Sequence, residues 1–170
     1  MVAKVLVDVK SKNVDKMYDY IIPKKYEDVL QIGARVVVPF GHRKVMGFCL
    51  DITKSSNYKQ TLKNIERVID IETYLNEELI ELAKHLSNQT GFLLISVLET
   101  ILPSALKVMY KPKIKVIDLD QLDDRLKDYF KIASEVHLDY FDDDLYPLIL
   151  KEIKSKHLKQ IYEIKRRNRS

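Results

Sequence analysis

The chain has 170 residues, 46% of them apolar, enough for one ordinary domain or two small ones with a packed core. No stretch reaches the roughly 18 uncharged apolar residues of a membrane span, and the N-terminus carries no signal-peptide run. The lone Cys49 excludes an internal disulfide and a cysteine-rich zinc site, so a folded, soluble, cytoplasmic protein without membrane association is expected. The net charge of +4 is too small by itself to indicate nucleic-acid binding, but its distribution is uneven. Residues 1–117 carry +5, residues 118–150 carry −7 and residues 151–170 carry +6. Two basic regions flanking an acidic one suit two phosphate-facing surfaces; ordinary solvated lysines give the same pattern.

Ala3, Val5, Val7 and Val9 alternate with Lys4, Leu6, Asp8 and Lys10, the period of a half-buried strand. Four more strands are expected at 18–22, 34–40, 45–52 and 64–70, punctuated by Pro23, Gly33, the Pro39-Phe40-Gly41 corner and the polar stretch 55–60. The period then changes. Asn76 offers an N-cap, Glu77 and Glu78 an acidic first turn, and Leu79, Leu82, Ala83 and Leu86 an apolar stripe. Residues 92–102 are apolar on nearly every side until Pro103, which predicts a buried helix.

Residues 107–116 alternate lysine with apolar residues around Pro112 and read as a connecting segment or an edge strand near a domain boundary. Beyond it, Leu122, Leu126, Tyr129, Phe130 and Ala133 predict one amphipathic helix, and Asp142-Asp143-Asp144 precede another with Pro147 in its first turn. Residues from Leu158 fit helix and strand periods poorly. A strand is favoured, because helix–helix–strand is how a winged helix closes, with the return strand of the wing then missing. The fold class expected is α+β: a small β-rich domain capped by two helices over 1–108, then a partial winged helix over 109–170.

Three motifs carry candidate chemistry. Tyr18-Asp19-Tyr20 sets a carboxylate between two aromatics. A ring is a stacking platform for an unpaired base, worth about 1–3 kcal/mol. An ionised carboxylate accepts a hydroxyl donor and repels a phosphate, so the pair would select a free nucleic-acid end over a continuing strand. A strand with packed tyrosines and a solvated aspartate has the same pattern. Gly41 ends a strand before His42-Arg43-Lys44, where it permits close backbone approach and the cations can meet phosphate; a simple hairpin turn explains it too. Lys63 stands at a strand entry, solvated or facing phosphate.

These segments in this order, with Val36-Val37-Val38-Pro39-Phe40-Gly41, Gly47-Phe48-Cys49 and Leu62-Lys63-Asn64-Ile65, resemble the opening domain of the primosomal replication-restart helicase family over about residues 1–108. That family usually has phenylalanine where Tyr18 stands. The resemblance implies a pocket of Tyr18, Asp19, Tyr20, Gly41 and Lys63 that captures the free 3′ end of the leading strand at a stalled fork, followed by a winged helix. It implies branched DNA as ligand, with single-stranded-DNA-binding protein and primosome proteins as partners. The family's motor, with its ATP, Mg and Zn sites, would lie beyond Ser170; no G-x-x-x-x-G-K-[ST] loop occurs here, so no catalytic residue, metal or cofactor is expected in this chain.

Weaker phosphate contacts are expected from Arg43, Lys44, Lys165, Arg166 and Arg167, the last three in a tail that a frayed, solvated terminus explains as well. A metal at Asp142–Asp144 is disfavoured, since consecutive residues on a helix point apart and an acidic first turn suits the dipole. The alternatives are a protein-interaction module docking through the aromatic pair and the Phe92 segment, and a small nuclease using Asp19 with Glu66 or the Asp142–Asp144 cluster.

Overall fold

Six apolar-rich residues, Val2–Val7 (β1), sit second in a five-stranded antiparallel sheet whose other strands are Met17–Ile21 (β2), Arg35–Phe40 (β3), Arg43–Thr53 (β4) and Arg67–Val68 (β5), in the order β2-β1-β4-β3-β5. The computed structural model describes residues 1–9, 15–106 and 112–162, and these divide between two compact units, Met1–Lys107 and Val108–Ser170. The fold is α+β.

The alternation read from β1 underestimates its burial. Val2, Ala3, Val5, Leu6 and Val7 are all buried, because the strand is flanked by β2 and β4 and both of its faces are covered. One face carries Leu6, which joins Phe48 and Leu50 of β4 in a core cluster with Leu75, Ile80, Ala83, Leu98 and Leu102. A bulge near Leu50 shifts the register between Lys4 and Val5. The opposite face carries Val5, its partner Cys49, and Val36, Val38 and Val68, all buried.

The sheet curls until its ends meet. Ile21 pairs in parallel with Asn64 through Ile21 N–H to the Lys63 carbonyl at 2.9 Å and Ile65 N–H to the Ile21 carbonyl at 2.9 Å. Two residues later the same segment joins β3, with Glu66 N–H donating to the Val37 carbonyl. The expected strand over 64–70 is therefore two short pairings, at Asn64 with Ile21 and at Arg67–Val68 with β3. At Gly33 the backbone has φ 93° and an added Cβ would lie 1.9 Å from the Leu75 carbonyl oxygen, so only glycine fits.

Cys49 is fully buried, and burial pushes its thiol up to about 12 from 9.0. Because the folded pKa is raised, the folded state keeps the proton: this contribution to stability is complete below pH 9 and is lost as pH rises from about 9 towards about 12. At pH 8 the thiol should resist a maleimide or disulfide reagent in the native protein and react at once in urea, readily followed by absorbance.

The helices lie against the Leu6–Phe48 face. Glu77–Thr90 (α1) starts at Asn76, whose side chain accepts from Leu79 N–H at 2.9 Å, as the sequence predicts. Its buried stripe runs through Ile80 and Ala83; Leu82, read as part of the stripe, falls off its flank and is exposed. Leu94–Ile101 (α2) has no capping side chain of its own. Asp15, from a distant loop, accepts from Leu94 N–H at 2.8 Å and Ile95 N–H at 3.1 Å. Only Leu98 of α2 is fully buried, and Phe92 lies outside the helix at 68% exposure. A short helix against a sheet buries one side whatever its composition, so the expected buried helix is half-buried.

In the second unit Pro112–Val116 (β6) is the central strand of a three-stranded sheet, flanked by Glu135–His137 (β7) and Leu158–Tyr162 (β8). This corrects the reading of a connector or edge. Pro112 is tolerated because it is the first residue of the strand and pairs with Tyr162 alone, β7 reaching no further than Lys113. The strand expected from Leu158 is present, and β8 pairs along its length with β6; a return strand following it would lie outside the described residues. The expected first helix shrinks to Asp124–Lys127 (α3) and a 3-10 turn, Asp128–Phe130. Tyr146–Lys154 (α4), with Pro147 in its first turn, packs Ile149, Leu150 and Ile153 into the core. No helix among the described residues is long and apolar enough to cross a membrane.

Candidate nucleic-acid interface

The closure of the sheet determines where the site lies. β2, the turn after β3 and the segment 58–63 converge, and Tyr18, Asp19, Tyr20, Gly41 and Lys63 all line one cavity of about 240 Å³. Five residues spread over 46 positions of sequence are thus neighbours because the ends of a curled sheet meet.

Each has a distinct environment. Tyr20 is buried, its hydroxyl donating to the Pro39 carbonyl at 2.9 Å across the closure. Burial, with the neighbouring Tyr18 second, raises its pKa above 10.0. Tyr20 therefore holds the rim together. Tyr18 packs edge-on against Phe40 with ring centroids 5.4 Å apart and stays half-buried. Gly41, at φ 60°, takes the first central position of the two-residue loop between Phe40 and Arg43, the place glycine holds in a type II′ hairpin turn. An added Cβ there would meet nothing within 4 Å, so the requirement is for the backbone angle.

Asp19 accepts a hydrogen bond from the Ser56 hydroxyl at Oδ2, leaving Oδ1 without a partner among the described residues. Lys63 is exposed, and its ammonium makes no ion pair among the described residues, while its carbonyl is fixed by Ile21. The cavity thus joins an open carboxylate acceptor, an unpaired cation and aromatic rings.

A second cavity of about 560 Å³ shares Pro39, Leu62 and Lys63 with the first and adds Lys44 and Glu66. There Lys44 Nζ lies 2.6 Å from Glu66 Oε2, both exposed, so the expected phosphate contact at Lys44 starts from an ion pair of small worth. Arg43, the first residue of β4, is exposed. Lys165, Arg166 and Arg167 lie outside the described residues. The acidic run is divided among separate tasks: Asp142 accepts from the Tyr129 hydroxyl at 2.8 Å and Asp143 opens a 3-10 turn. Among the described residues no group of three His, Cys, Asp or Glu side chains is placed to hold a metal.

Sequence reasoning missed Ser56 and Tyr58, which lay in a stretch read only as polar punctuation, and Phe40, read as part of a corner. An aromatic in a polar loop, Tyr58, was the available signal.

A β-rich rim of this kind, with an acceptor, a cation and rings around a small cavity, has the chemistry of a nucleic-acid-binding domain. Residues 4–103 match the family described as the 3′ DNA-binding domain (3′BD) of PriA. The chain belongs to the PriA family. It is 31% identical to the replication restart protein PriA of Bacillus subtilis over 164 residues, 95% of this chain and 20% of that protein. The probable replication restart proteins PriA of Mycobacterium tuberculosis and Mycobacterium bovis are each 34% identical over 67 residues, 39% of this chain and 10% of theirs. The chain spans a fifth or less of the length of these relatives.

Proposed function

We propose that this chain binds branched DNA at stalled replication forks and captures the free 3′-hydroxyl end of the leading strand, as the front end of an ATP-dependent helicase. The observation that carries the reading is the convergence of Asp19 and Lys63 on one cavity, with Oδ1 of Asp19 open. A terminal hydroxyl donates to the carboxylate, the adjacent backbone phosphate meets Lys63, and a strand that continues would bring a phosphate against Asp19. Family membership supports the DNA-binding part of this reading. The second unit, with its three-stranded sheet and α4, acts as a winged helix adding backbone contacts. The chain binds rather than catalyses, in the cytoplasm; ATP, Mg and Zn belong to the motor, so binding should survive EDTA. Single-stranded-DNA-binding protein and other primosome proteins are its partners.

The test compares a fork bearing a recessed 3′ end with a continuous duplex of equal length, titrated at several salt concentrations. The fork should bind more tightly at every salt, and equal affinities would overturn the reading. Lys63→Ala should weaken fork binding and lower the slope of log K against log salt by about 0.7–0.9; an unchanged slope would remove Lys63 from the phosphate path.

A further inference from the structure

We infer that Tyr58, held in place by Ser56, is the platform on which the terminal base of the captured strand stacks. The inference rests on the end-capture reading above and names the residue that meets the base.

Three tyrosines line the cavity, and among the described residues only Tyr58 presents a ring without a packing partner. Tyr20 is 5% exposed with its hydroxyl committed to the Pro39 carbonyl. Tyr18 is half-buried and packed against Phe40. Tyr58 is 58% exposed, lines the same cavity and makes no ring contact among the described residues. A large apolar ring left in water beside a polar cavity gains by being covered, and a nucleobase is a flat surface that suits it.

The loop does not leave Tyr58 to chance. Tyr58 N–H donates to Ser56 Oγ at 3.1 Å, and the Ser56 hydroxyl donates in turn to Asp19 Oδ2. One hydroxyl therefore couples the ring-bearing backbone to the carboxylate proposed to hold the sugar. The base to be stacked is attached to the same sugar as the 3′-hydroxyl. Asp19 meets the Ser56–Tyr58 turn at Oδ2 and leaves Oδ1 for the hydroxyl, and the Tyr58 ring lines the same cavity. Thr53 Oγ1, donating to the Ser55 carbonyl at 2.9 Å, steadies the entry to that turn. Every base has a π face, so a stacking contact accepts any terminal nucleotide, as an end-binding protein at arbitrary fork positions requires. Ser56 is a positioning residue: it acts through Tyr58 and Asp19.

The experiment titrates the chain by fluorescence anisotropy against forks whose 3′-hydroxyl terminal nucleotide is either normal or an abasic tetrahydrofuran, which keeps the hydroxyl and removes the base. Wild type should prefer the normal end by about fivefold or more. Tyr58→Ala should bring that ratio close to one, and Tyr58→Phe should retain it, because the ring and not the hydroxyl stacks. Ser56→Ala should lower the ratio and Ser56→Thr restore it. A wild type without base preference, or a Tyr58→Ala variant that keeps the full ratio, overturns the inference. Failure of the underlying reading looks different: wild type would then not distinguish a 3′-hydroxyl from a 3′-phosphate end, a comparison that Tyr58→Ala leaves in place when only the stacking role is wrong.

Discussion

Replacing Asp19 with alanine should weaken binding to a fork with a recessed 3′-hydroxyl end by about ten- to a hundredfold, with continuous duplex affected less than twofold. The size follows from a hydrogen bond to a charged group, about 1.5–3 kcal/mol net, lost with no substitute in the pocket. The selectivity follows from position. Asp19 lines the cavity at the rim while the exposed cations at Arg43, Lys44 and Lys63 remain. Asp19→Asn separates the two roles of the carboxylate. It preserves size but removes the charge, so it should mainly relieve the penalty against a 3′-phosphate, since like charges about 4 Å apart repel by about 4 kcal/mol at an effective dielectric of 20. Parallel anisotropy titrations on the two substrates measure both effects. Equal loss on fork and duplex would mean that Asp19 supports the fold and not an end pocket.

Asp70→Ala should destabilise the first unit by about 3–5 kcal/mol, a large share of the 5–15 kcal/mol typical of a domain. Arg35 and Asp70 are buried, with side chains 3% and 6% exposed, and face each other as a bidentate pair: Arg35 Nε to Oδ2 and Nη2 to Oδ1, each at 2.9 Å. The Arg35 N–H donates to Oδ2 as well, at 3.0 Å, and Nη1 donates to the Leu106 carbonyl. The pair thus ties β3 to the segment after β5 and to the end of the helical layer. Removing the carboxylate strands a guanidinium in the core, and the penalty comes from that stranded charge more than from the lost contact. The double replacement Arg35→Met with Asp70→Leu should therefore be less destabilised than Asp70→Ala alone. Urea unfolding followed by circular dichroism decides it; a loss below about 1 kcal/mol for Asp70→Ala would show that the pair is solvated or dispensable.

The same pair illustrates what a sequence hides. Nothing local marks Arg35 or Asp70, 35 residues apart, as partners, whereas β3, which carries Arg35, was legible from Val36-Val37-Val38 and the glycines around it. Asn76 was readable as a cap because its bond is local; Asp15 was not, because it caps α2 from a loop almost 80 residues away. β6 was misjudged because alternating lysines and a proline describe an edge, yet its place between β7 and β8 depends on strands that come later in the chain. At the site, Tyr18, Asp19, Tyr20, Gly41 and Lys63 could be singled out by residue type and by their order along the chain, and the structure brings them to one cavity. The division of labour among the tyrosines could not be read, since Tyr20 turns inward to Pro39 and Tyr58 turns up from a loop only once the sheet has closed.

The cavity is proposed to read a strand terminus by its hydroxyl. The most direct test is an anisotropy titration of the wild-type chain against two forks that differ only in a 3′-hydroxyl or a 3′-phosphate at the leading-strand end, at one salt concentration. Tighter binding of the hydroxyl fork, by tenfold or more, is the result predicted from the open Asp19 oxygen. Equal affinity for the two would contradict it and leave a basic surface that binds DNA without reading its end.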